Sequence, residues 1–176
     1  MEATILIGID GGLTSPAVSI YRDGVLFLKD VRSKRAPVTK RPRDSNMSFL
    51  IRRTLGMADA VREFIQPADT GQAVTIVFEY PFTPGLRSAK SIATTGVATG
   101  VVMGQIMQYY SEHMTNFEVR GVMPATWQKK HPKEGILELL TDLSDPDLIT
   151  DDMLSATGVL LWATDGDMPI DRVVVS

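Results

Sequence analysis

Residues 5–24 read ILIGIDGGLTSPAVSIYRDG, and the fold turns on how this stretch places Asp10. Ile5, Leu6, Ile7 and Ile9 form the kind of apolar run that a sheet buries, and the run stops on a carboxylate. A buried charge without a partner is costly, so a strand that delivers Asp10 to its end needs something there to meet it. Working outward, AVSIYRD (17–23) and VLFLKDV (25–31) read as two further strands, with Asp23-Gly24 as the tight turn between them. The predicted opening is three antiparallel strands.

Further along, SNMSFLIRRTLGMADAVREFI (45–65) sets Leu50, Leu55, Val61, Phe64 and Ile65 at helical spacing, with Ser45 or Asn46 as N-cap. AVTIVFEY (73–80) is another apolar strand, and it too ends on a carboxylate, Glu79. A long helix is expected over 88–113, a short strand over FEVRGV (117–122), helical pieces from Pro124 and from Lys133, and a last helix over DDMLSATGVLLWAT (151–164). The expected fold is α/β: a mixed five-stranded sheet flanked by helices, one domain over 1–176, with a basic loop at about 32–45.

In open α/β sheets ligands gather beyond strand ends, where Asp10 and Glu79 both sit. Asp151 and Asp152 open the last helix, where the helix dipole favours carboxylates, so Asp151 reads either as an N-cap or as part of an acidic site. Were these elements neighbours, the repulsion among their carboxylates would call for a hard cation with oxygen ligands, above all Mg²⁺.

The bulk properties narrow the class. With 176 residues and 44% hydrophobic composition the chain can bury a real core. It has no cysteine, which excludes disulfides and thiolate metal sites. No basic stretch followed by a signal-type apolar core opens the sequence, and no run approaches a membrane span, so the expectation is a soluble, cytoplasmic protein. Charge is polarised: residues 1–133 carry 17 Lys+Arg against 11 Asp+Glu, and residues 134–176 carry one Arg against ten acids. The densest basic stretch, KDVRSKRAPVTKRPRD (29–44), reads as a solvated loop or as an arm that grips phosphates.

A strand ending in GIDGG, a hairpin, a strand running into FEYPF, a long helix rich in small residues and a final helix with acids at its start together resemble the RuvC-type Holliday-junction resolvases. These have the RNase H and retroviral-integrase fold, and short phage versions look most similar. The resemblance implies a metal-dependent endonuclease that resolves four-way or branched DNA by paired phosphodiester hydrolysis. It matches Asp10, Glu79 and Asp152 to metal ligands and catalytic residues, with Asp151 as a further candidate ligand. Lys133, in PATWQKKHPKEG (124–135), matches a lysine that reaches the scissile phosphate, and Lys129 and Lys130 become DNA contacts. Phe82 matches an aromatic near the strand-exchange point, where it could stack on an unpaired base or simply pack under a loop. Lys34, Arg35, Lys40, Arg41 and Arg87 complete the DNA-binding set.

The resemblance further implies Mg²⁺ or Mn²⁺, two ions per active site, one activating water and the other stabilising the leaving oxygen. Paired cuts imply a homodimer. Gly96, Gly100 and Gly104, four residues apart on the long helix, suit either a dimer seam or close packing on the chain's own sheet. One position departs from the pattern: Ser155 stands where a second aspartate, three residues after Asp152, is expected. A hydroxyl brings no negative charge, which makes a catalytically impaired junction-binding protein the main alternative. An RNA nuclease of the YqgF type, in the same fold, is another. GIDGGLTS also resembles the phosphate loop of sugar kinases and actin-like ATPases, but those need two such domains, and 176 residues are too few. His113 reads as a helix-end residue, His131 as a candidate phosphate contact, and Trp127 and Trp162 as core.

Overall fold

Alternation along the first strand decides which side of the sheet each residue serves. The computed structural model describes residues 4–11, 16–31, 46–65, 72–80, 89–113 and 116–176. Within them the chain runs β1 (Thr4–Asp10), β2 (Ala17–Arg22), β3 (Val25–Asp30), α1 (Asn46–Ile65), β4 (Ala73–Glu79), α2 (Ala89–His113), β5 (Phe117–Val122), α3 (Pro124–Lys130), α4 (Lys133–Thr141), α5 (Asp151–Ala163) and β6 (Arg172–Val175). A short 3-10 turn at Pro146–Leu148 leads into α5. The strands form one sheet in the order β5-β4-β1-β2-β3-β6. β1 is antiparallel to β2 and parallel to β4, and β5 continues parallel to β4.

Ile5, Ile7 and Ile9 of β1 join Val74 and Ile76 of β4 in a core with α1 and α2. The opposite face carries Leu6 and Val77, which pack with α3, α4 and α5. Side chains alternate along a strand, so Asp10 lies on the Leu6 face and Glu79 on the Val77 face. Both carboxylates therefore belong to the layer that contains α5.

The hairpin forms where the sequence places it. Asp23 and Gly24 both have positive φ, 49° and 80°, as a two-residue turn between right-twisted strands requires. The sheet has six strands instead of the expected five. Val173–Val175 make a run too short to stand out, and β6 is fixed by parallel pairing along β3, from Val25↔Arg172 to Leu28↔Val175. Helix α5 presses on β1 and β2 at backbone distance. Gly8 and Ser19 are cross-strand partners. Ser19 Oγ donates to the carbonyl oxygen of Ala156 at 2.6 Å, and a Cβ on Gly8 would overlap that same carbonyl.

On α2, a Cβ on Gly96, Gly100 or Gly104 would meet none of the described residues within 4 Å, so among those residues these glycines do not serve close packing on the chain's own sheet. Among the described residues no helix is long and apolar enough to cross a membrane.

Candidate active site

The parallel register of β1 and β4 ends at Ile9↔Phe78, and one step further stand Asp10 and Glu79. They occupy equivalent ends of adjacent strands on one face of the sheet, which the hydropathy of either strand alone could not show. Asp152 approaches from the first turn of α5. All three interact: burial, followed by repulsion from Glu79 and then from Asp152, raises the Asp10 carboxyl from its ordinary value of 3.8 to about 7. Lys133 and a hydrogen bond with the Ser155 side chain act the other way.

The start of α5 explains how the helix delivers its acids. Thr150 is the N-cap, its hydroxyl accepting from the Met153 N–H at 3.3 Å. Asp151 is thus the first helical residue, and the N-cap reading of Asp151 is corrected: the β-region backbone and the hydroxyl acceptor lie one residue earlier. The Asp151 carboxylate is exposed and pairs with Lys133, whose Nζ also donates to the Asp151 carbonyl oxygen at 3.1 Å. Ser155, only 4% exposed, lies one turn beyond Asp152. Its single hydroxyl proton has two acceptors, the Asp10 carboxylate and the Asp151 carbonyl oxygen at 3.3 Å.

One contact went unread in the sequence. Trp127 is fully buried, as a core residue should be, yet its indole Nε1–H donates to Glu79 Oε2 at 2.6 Å. A buried indole N–H requires an acceptor, and that rule is the only sequence-level signal that could have raised the question.

Among the proposed DNA contacts, Lys129 is exposed and Lys130 is ion-paired with Asp165 at 2.7 Å. His131 lies beside them, half-buried, and burial followed by the Lys130 charge holds its pKa below the usual value, with Asp165 opposing. Phe82, Lys34, Arg35, Lys40, Arg41 and Arg87 lie outside the described residues. Among the described residues, no three acidic or histidine side chains stand ready as a closed ligand set for a metal ion.

These features define an α/β chain with the RNase H-like fold, with one acidic residue, Asp10 or Glu79, at the end of each of two adjacent parallel strands. Two of its structural neighbours are Holliday-junction resolvases. RuvC of T. thermophilus, solved in complex with a Holliday junction substrate, superposes with a TM-score of 0.59 at 15% identity, over 93% of this chain and 96% of RuvC. The yeast mitochondrial Holliday junction resolvase Ydc2 follows with a TM-score of 0.51 at 12% identity, over 88% of this chain and 75% of Ydc2. No protein-family model matches the sequence, and no curated protein matches it either.

Proposed function

We propose that this chain is a divalent-cation-dependent endonuclease that cuts four-way or otherwise branched DNA by phosphodiester hydrolysis. The observation that carries the reading is the side-by-side placement of Asp10 and Glu79 at the ends of β1 and β4, with Asp152 acting on Asp10 from α5. The fold shared with junction resolvases supports the substrate class.

The donor set fits Mg²⁺ or Mn²⁺. All its members are hard oxygen donors, and a carboxyl whose pKa is raised first by burial and then by two neighbouring carboxylates is one whose ionisation a nearby cation would favour. Asp10, Glu79 and Asp152 would hold the ion or ions, with Asp151 as a further candidate. When bound, such ions activate water and stabilise a departing oxygen. Lys133, whose charge already acts on Asp10, would offset negative charge developing on the phosphate. Lys129 and Lys130, with the basic residues of the 32–45 stretch and Arg87, would grip the backbone, and Phe82 would stack on a base. Two cuts per junction call for two sites, hence a homodimer, and the exposed glycines of α2 leave room for a second backbone. The protein would work in the cytoplasm, that of the host if its source is a phage.

A synthetic four-way junction tests this. The chain should bind it in preference to linear duplex and nick it in Mg²⁺ or Mn²⁺, while Asp10→Asn and Glu79→Gln bind without cutting. Undiminished cleavage by Asp10→Asn would overturn the assignment. Ser155 favours one second reading, a junction-binding protein with impaired turnover, and binding by the unaltered chain without nicking in either metal would establish it.

A further inference from the structure

The indole of Trp127 reaches Glu79 across 48 residues of sequence and ends on one carboxylate oxygen, at the short distance of a charge-assisted bond. An indole N–H can only donate, so the direction of this bond is fixed. The ring is held as firmly as the bond. Trp127 has no exposed surface, and it lies flush on α5: a Cβ on Gly158 would overlap ring atoms Cζ3 and Cε3 and stand 3.0 Å from Cη2. Helix α5 also carries Asp152 and Ser155, which act on Asp10. The helix therefore sets two acidic groups of the site by different routes, Asp152 directly and Glu79 through the ring seated on Gly158.

We propose that Trp127 is a positioning residue, its indole N–H fixing the Glu79 carboxylate at the end of β4 so that this group is already oriented when Asp10 and Asp152 close with it around a cation. The proposal deepens the cation-dependent reading above and rests on it. A carboxylate offers about four acceptor positions and the indole takes one, so a cation can bind the same group with the indole bond intact. Glu79 then enters cation binding with its rotamer already chosen, as groups behind metal ligands commonly ensure.

Mn²⁺ binding to the DNA-free protein, measured by calorimetry, tests this apart from cleavage. Trp127→Phe keeps an aromatic ring and drops the donor. Replacing Trp127 with benzothienylalanine, which has sulfur in place of the N–H, keeps the full shape and decides the matter if the phenylalanine variant is unstable. Each should bind Mn²⁺ about tenfold more weakly than the unaltered chain. Between the unaltered chain and Glu79→Gln the Trp127 indole proton resonance should move, while that of Trp162 stays in place. Equal Mn²⁺ affinity with and without the indole N–H overturns the inference alone. If the unaltered chain fails to bind Mn²⁺, the cation reading falls and takes the inference with it.

Discussion

Lys133 donates from Nζ to the carbonyl oxygen of Asp151 at 3.1 Å and also to its carboxylate, tying the first residue of α4 to the first residue of α5. The lysine side chain is 24% exposed and the aspartate 77%. An ion pair this open contributes at most about 1 kcal/mol to stability, so its value lies in where it keeps the ammonium group. Asp151→Asn, which removes the ion pair but keeps the carbonyl bond, should leave thermal stability and Mn²⁺ affinity nearly unchanged while slowing cleavage, because Lys133 is held less firmly. A tenfold loss of Mn²⁺ affinity would instead make Asp151 a ligand.

Asp10 gives the metal-free protein a pH dependence with a definite sign. Its carboxyl titrates at about 7 when folded and near 3.8 when not, so between these values the folded state binds the extra proton. Stability from this group is complete below the unfolded pKa and is lost as pH rises through about 7, by at most about 4 kcal/mol. The unfolding midpoint in EDTA should fall from pH 5 to pH 8, and Asp10→Asn should flatten that fall. Parallel curves for the two proteins would refute the shift.

Ser155→Asp places a further carboxylate against Asp10 in a position only 4% exposed. Without cations it should destabilise the protein by about 2 kcal/mol, since a buried charge beside like charges is costly. With Mg²⁺ the same variant should recover stability and nick junctions faster than the serine form. Equal nicking rates would show that a fourth carboxylate is dispensable here.

Gly8→Ala should cost about 3 kcal/mol in urea unfolding. The added methyl would overlap the Ala156 carbonyl and stand 2.6 Å from Ser19 Oγ, and neither the strand nor the helix backbone can yield cheaply. A loss under 1 kcal/mol would mean that α5 is not seated this closely.

Replacing Lys34, Arg35, Lys40 and Arg41 with glutamine should weaken binding to all DNA and reduce the slope of log affinity against log salt by about 3 to 4. An unchanged slope would make the stretch a solvated connector.

Local chemistry made much of this legible in advance. The apolar run from Ile5 to Ile9 and the short stretch FEVRGV are strands, as read from the sequence, and Asp23-Gly24 turns as a dipeptide tolerant of positive φ must. That Asp10 and Glu79 end their strands followed from the same patterns. The resemblance in element order correctly anticipated the RNase H-like fold. What the sequence by itself determined was therefore the conformation of most described segments and their ends to within a residue, β6 excepted, because hydrophobic period and turn preference act within a few residues. Tertiary structure alone decided that the two carboxylates share a face and a register, that β6 joins β3, and that Trp127 grips Glu79. Those facts depend on which strand pairs with which and how closely a helix can approach. Approach distance is set by small residues such as Gly8 and Gly158, whose missing side chains leave no pattern until the partner is in place.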